Sequence, residues 1–155
     1  MKKTVRGQPY SRLIAYSVAE FILRCAEISG VHFNHDYEMV ILFLAISTRN
    51  TQNVMADPEL RKRYASYSEP IPVSLYTPIS RLALSRSTGL PRETVRRKVA
   101  KMIELGVVVE DERGGLRVPP DLNEEDNFVE TLRPQMMNLR RLFSTLAETG
   151  EFKSD

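Results

Sequence analysis

The chain has few of the residues on which enzymes, metal sites and secreted folds depend. One cysteine, Cys25, in 155 residues excludes an intramolecular disulfide framework and suits a reducing compartment. Only two histidines occur, His32 and His35, with Asp36 and Glu38 nearby. A metal could start from that pair, but no other Cys or His completes a closed site, and Asn34 and Asp36 also suit a helix N-terminus. No metal or other cofactor is therefore expected. A Gly-rich phosphate loop is missing, as is any Cys–His pairing near a turn, so catalysis is not expected. Long apolar runs are missing too. The longest, Met39 to Ile46, has eight residues, against the roughly 20 needed to span a bilayer. Met1-Lys2-Lys3 begins like a signal peptide, but Gly7-Gln8-Pro9 follows and the next apolar stretch carries Glu20 and Arg24. The expectation is a cytoplasmic protein with no membrane partner.

What is present suits a single domain with a real core. It reads as three parts: a helical part over 1–72, a compact module over 73–120, and a C-terminal helix and tail over 121–155. Net charge is only +2, and its distribution says more than its sum. Between Ile79 and Lys101, seven basic residues stand against one acid, Glu93, while residues 102–155 carry six basic and twelve acidic groups. A nearly neutral average hides a cationic segment, and a phosphate backbone responds to local charge.

Residues 1–9 read as a basic, polar arm whose Lys2, Lys3 and Arg6 are either solvated or in reach of phosphates. Ile14, Val18, Phe21, Cys25 and Ile28 recur at helical spacing, predicting an amphipathic helix over Ser11–Ser29 closed by Gly30. Asp36 to Met55 continues a helical pattern through Val40, Phe43, Ile46, Asn50 and Val54, too long for a strand, and predicts a largely buried helix. Asp57-Pro58 restarts a short helix, PELRKRYA, and Ser66–Pro72 is a connector. Val73-Ser74-Leu75 suits a small first strand.

The richest stretch is Ile79–Pro119. Ser80 is a good N-cap, with Ile79 and Leu84 at the spacing of a hydrophobic staple, and the short helix after it should bury Leu82 and Ala83. Gly89 supplies the positive φ of a tight inter-helix turn, and Pro91 presets φ for the next helix. Val95, Val99, Met102 and Ile103 form that helix's inward stripe. Arg92, Glu93, Thr94, Arg96, Arg97 and Lys101 then fall on its outer side and leading turns. Arginine's planar fork suits guanine O6 and N7, and a glutamate can accept from cytosine N4. Gly106 ends the helix. Val107-Val108-Val109, the Asp111–Gly115 turn and Leu116-Arg117-Val118 predict a hairpin, whose Arg113 and Arg117 could meet phosphates or the minor groove.

The run LALSRSTGLPRETVRRKVAKMIELGVV resembles the winged helix-turn-helix transcription regulators of bacteria, in particular the DNA-binding core of GntR-type and MarR-like proteins. The resemblance covers about 45 residues. It implies a mainly α fold with a small β-hairpin wing, with extra N- and C-terminal helices around it. It also implies a sequence-specific regulator of double-stranded DNA. Helix 91–105 would lie in the major groove, with wing 107–118 on the backbone or minor groove, and Ser80 and Arg86 would join the contact. Pro91 departs from the usual Ser or Thr cap, which puts one phosphate contact in doubt. No separate effector domain accompanies the core, so whether a small-molecule effector exists is left open. The other readings of these residues are a winged-helix adaptor that binds protein without DNA, and a merely solvated basic face.

The C-terminal part is acidic from Asp121 to Asp126, which favours a helix start. Val129, Leu132, Met136, Leu139, Phe143 and Leu146 follow at 3, 4, 3, 4 and 3, an a/d seam interrupted by Pro134. This seam packs either within its own subunit or against a second copy. In the latter case Ile14, Val18 and Phe21 with Leu132, Met136, Leu139, Phe143 and Leu146 would form a homodimer interface, and two modules would read an inverted repeat.

Overall fold

The computed structural model describes residues 9–124 and 130–150. Among these, six α-helices accompany one two-stranded antiparallel hairpin. The helices are α1 (Ser11–Gly30), α2 (Tyr37–Ala56), α3 (Pro58–Arg63), α4 (Arg81–Thr88), α5 (Arg92–Glu104) and α6 (Leu132–Glu148), and the strands are β1 (Val109–Glu110) and β2 (Leu116–Arg117). No helix among the described residues is long and apolar enough to cross a membrane. Contacts divide the chain into two compact units, Asp36–Val129 and Met1–His35 with Glu130–Asp155. Lys2, Lys3, Arg6, Glu125, Asp126 and Val129 lie outside the described residues.

In the first unit, Asp36 opens α2 by accepting a hydrogen bond from the Met39 N–H at 3.2 Å. Leu42, Ile46, Asn50 and Val54 recur every four residues and are buried. Ile41 and Leu44 are exposed, so α2 buries one face and is not the largely buried helix its composition suggests. Asp57 accepts from the N–H groups of Glu59 and Leu60, both at 2.9 Å, and starts α3 with Pro58 at its first position. Val73–Leu75 is a 3-10 turn and not the expected strand, because Leu75 and Tyr76 spend their N–H groups on the local carbonyls of Pro72 and Val73. The strand-like partner of the hairpin is Ile79, which exchanges two backbone hydrogen bonds with Leu116, at 3.1 and 2.9 Å.

Ser80 caps α4, accepting from the Ala83 N–H at 3.2 Å, and Ile79 and Leu84 are both buried as a staple requires. Leu82 and Ala83, expected inside, are exposed. The burial of Leu84 sets the helix phase, and Leu82 lies about 200° round from it. The Ser85 hydroxyl ties α4 to the turn that follows it, donating to the Leu90 carbonyl at 2.7 Å. Gly89 takes φ 73° at the turn. Val95, Val99 and Met102 of α5 are fully buried, and α5 packs on α2 and α4. Its end is a Schellman closure, with Val107 N–H to Met102 O and Gly106 N–H to Ile103 O.

Val107 and Val108 are buried but precede the paired strand, which begins at Val109. The register sets Val109 opposite Arg117 and Glu110 opposite Leu116. One carboxylate oxygen of Asp111 accepts from the N–H groups of Arg113 and Gly115 and shapes the turn. Asn50, 1% exposed, holds this hairpin to α2. Its amide donates to Thr77 O (3.1 Å) and Leu116 O (3.2 Å), and its oxygen accepts from Val118 N–H (2.9 Å). After the hairpin, Pro120–Glu124 forms a 3-10 turn.

In the second unit α1 and α6 pack side by side. Gln135 donates to Cys25 O and Ser29 Oγ, while Asn138, three residues on, donates to Phe21 O and Cys25 Sγ. Later residues of α6 thus meet earlier residues of α1, so the pair is antiparallel. Two amides and the buried Ser17 lie along this seam, and it is more polar than the apolar stripes suggest. Gly30 is the last residue of α1 but is right-handed, and the left-handed residues come later, at Asn34 and His35, with φ 49° and 58°. His35 N–H closes back on Gly30 O at 2.8 Å. Pro134 falls in the first turn of α6, where a missing N–H removes no helical hydrogen bond.

Candidate nucleic-acid interface

The inward stripe of α5 leaves Arg92, Glu93, Arg96, Arg97, Ala100 and Lys101 exposed and Thr94 half-buried. This is the distribution expected from helix geometry. The charges on that face are not equivalent. Arg96 donates from Nε and Nη2 to the two oxygens of Glu93, the Nε contact at 2.8 Å. That hydrogen bond, and then the arginine's charge, hold the Glu93 carboxyl below the usual range despite some opposing desolvation, and the pair raises Arg96 in turn. Both side chains remain solvated, so the pair orients more than it stabilises.

Two cations of the +6 segment point elsewhere. Arg81, at the start of α4, forms a forked contact with Glu110 at the end of β1, and one of its two hydrogen bonds is 2.9 Å. Lys98 is mostly buried and lies against Asp36, with Glu38 at 3.3 Å, tying α5 to the beginning of α2. Burial alone would raise the Asp36 carboxyl. The Lys98 hydrogen bond, the Met39 N–H and the charges of Lys98 and Lys101 outweigh it and hold the group below its ordinary value. Hydrogen bonding to Asp36 raises Lys98 correspondingly. Sequence reading counted both cations in the basic segment and missed their partners, which lie 29 and 62 residues away.

Arg86, Arg92, Arg97 and Lys101 form no ion pair among the described residues. Beside α5 runs an open groove of about 460 Å³, lined by Arg96, Arg97, Lys98 and Lys101 on the basic side and by Asp36 and Glu104 on the acidic side. The structure thus brings Arg92, Glu93, Thr94, Arg96, Arg97 and Lys101 together on one helix. Ser80 stands at the hairpin base through the Ile79–Leu116 bridge, with its hydroxyl engaged as a cap. Arg86 is exposed in the last turn of α4, Arg113 is exposed at the hairpin tip, and Arg117 is half-buried with its charge acting on Tyr76.

No protein family, curated protein or solved structure matches the chain.

Proposed function

We propose that Ile79–Val118 is a winged helix-turn-helix that binds double-stranded DNA in a sequence-dependent manner, with α5 as the recognition helix and the β1–β2 hairpin as the wing. On this reading the protein is a transcription regulator of the bacterial winged-helix kind. One observation carries the proposal: Arg92, Arg97 and Lys101 face outward, unpaired, on a helix whose opposite side is fixed in the core. Cations free of internal partners are what a phosphate backbone can capture, and an arginine fork on a leading turn can reach base edges. The Glu93–Arg96 pair adds a direction to that face, which a phosphate-only surface would not need.

Two copies would act together. The exposed apolar side chains of α1 and α6 supply the surface: Phe143 is 62% exposed and Ile22 58%, with Val18, Leu132, Met136 and Leu139 exposed as well. At 100° per residue, and with α6 antiparallel to α1, these six fall on the same side of the helix pair. Their exposed area is on the order of 500 Å², much of the roughly 800 Å² that each partner contributes to a stable interface. A second copy of the same face would bury it as a four-helix bundle around a two-fold axis. Of the residues predicted to form this face, Ile14, Phe21 and Leu146 are half-buried within the single chain.

Selection from a random duplex library tests the proposal. Enrichment of an inverted repeat is expected, with log affinity falling against log salt at a slope of about −5 if a dimer releases six counterions. No enriched motif at low salt, or a co-purifying protein partner whose binding survives high salt, would overturn it in favour of an adaptor role. Phe143→Glu should convert a dimer into a monomer by light scattering.

A further inference from the structure

A cleft of about 280 Å³ opens in the Asp36–Val129 unit, away from the basic face of α5. Its walls are one side of α2, the connector that follows α3, and the segment leading into Ile79. Three of the chain's six tyrosines line it: Tyr64, which is buried, Tyr67, which is exposed, and Tyr76, which is half-buried. Thr51 and Met55 contribute from α2. Among the described residues lining the cleft, Glu69 is the one Asp, Glu, Lys or Arg, and it forms no ion pair.

We propose that this cleft binds a small organic cation, an ammonium group joined to a flat apolar body. Three tyrosine rings and one carboxylate without an ion pair line the same cleft, and each kind of group attracts positive charge, the rings through their π faces and the carboxylate through its Coulomb field. The same groups disfavour an anion. One face of the Tyr64 ring is taken by the Arg63 guanidinium, 5.2 Å from its centroid, and Arg63 is not among the lining residues. Burial raises the Tyr76 phenol above its usual range, and it is neutral at physiological pH; Arg117 opposes that shift and Tyr67 adds to it. Arg117, whose charge acts on Tyr76, is not among the lining residues. The volume lies just below the roughly 300–1,000 Å³ typical of ligand sites, so the body is a single ring or its equivalent.

The inference does not depend on DNA binding, and its test is separate. Benzyltrimethylammonium, neutral benzyl alcohol and anionic phenylacetate would each be titrated into the full chain and followed by ¹H–¹⁵N NMR. The expected result is saturable shifts at residues of α2 near Thr51, at 64–71 and at Tyr76, strongest for the cation. Glu69→Gln, at a solvated position, should weaken the cation about fivefold and leave benzyl alcohol unchanged. Tyr67→Leu, also at an exposed position, should weaken the cation too. The proposal is overturned if the three probes bind equally, if Glu69→Gln leaves the cation's affinity unaltered, or if no saturation occurs by tens of millimolar.

Discussion

Replacing Asn50 by alanine should detach the hairpin from α2 while leaving the helices themselves formed. The amide serves three backbone groups at once. Leu116 O would keep its second bond, from Ile79 N–H, whereas Thr77 O and Val118 N–H would lose the partners that hold them. A buried backbone group left unsatisfied costs about 1–3 kcal/mol, so two of them, with a small cavity added, come to about 4 kcal/mol. Domains are stable by only about 5–15 kcal/mol, which makes this a large fraction. In urea, with a slope of about 1–3 kcal/mol per molar, the midpoint should fall by roughly 2 M. Amide exchange at Val118 should accelerate more than exchange at Val99 in the α5 core. Asn53→Ala removes only an exposed contact to Thr77 Oγ1 at 3.0 Å and serves as the control, with a loss below about 1 kcal/mol. A loss under about 1 kcal/mol for Asn50→Ala, or unchanged exchange at Val118, would refute the account. Asn50→Asp adds a sign test. A carboxylate facing two carbonyls has its folded pKa raised, so the variant should be least stable at neutral pH and recover as pH falls.

Three further outcomes follow from the same geometry. The Asp36 carboxyl is held low by its surroundings, so its contribution is present above the unfolded value near 3.9 and is lost as pH falls through the lower folded value. Lys98→Met should reduce that acid-linked loss and cost about 1–2 kcal/mol at pH 7, read by denaturation at both pH values. Gly114 sits at φ 77°, and Gly115 leaves no room for a Cβ, which would lie 2.7 Å from the Pro78 Cβ. Alanine at 114 should cost about 1 kcal/mol, and alanine at 115 about 2–3 kcal/mol, in thermal unfolding. Arg97→Ala should lower duplex affinity and flatten the salt slope by about 1 per module without moving the melting temperature.

The readable parts of the sequence were those whose physics is local. Asp36, Asp57 and Ser80 cap the helices they precede, Gly89 takes the positive φ assigned to it, and Gly106 ends α5 as expected, because each depends on a few neighbouring residues. The α5 stripe was equally plain, since Val95, Val99 and Met102 at helical spacing leave one phase, with Ile103 half-buried at its edge. Leu82 was misplaced because an eight-residue helix permits two phases, and only packing of Leu84 against other elements chooses between them. Gly30 marks the end of α1 as expected, but the left-handed turn comes at Asn34 and His35, after a 3-10 extension that no residue preference announces. Asn50 did leave a trace: a polar side chain on the buried stripe of α2 needs partners, but the stripe cannot name Thr77, Leu116 and Val118. The pairings of Arg81 and Lys98 left none, because ion pairs across 29 and 62 residues depend on the fold.

Those pairings change what the basic helix offers to a ligand, and Glu93 is where the change can be measured. In the free protein Glu93 occupies two of the Arg96 donors, Nε and Nη2. An arginine so engaged cannot present its full fork to guanine, so on the proposed DNA-binding reading Arg92 and Arg97 would be the residues free to discriminate while Arg96 is held in one orientation. Removing the carboxylate releases a cation that any phosphate can capture. Glu93→Ala should therefore bind random duplex more tightly at low salt, steepen the salt slope by about 0.9 per module, and narrow the ratio of specific to non-specific affinity. Base preference should suffer more than affinity for the selected site. Titrations of a selected duplex and a scrambled one at two salt concentrations separate these effects. An unchanged or widened ratio would mean that Glu93 contributes nothing to discrimination, and the outward face of α5 would then act through its net charge alone.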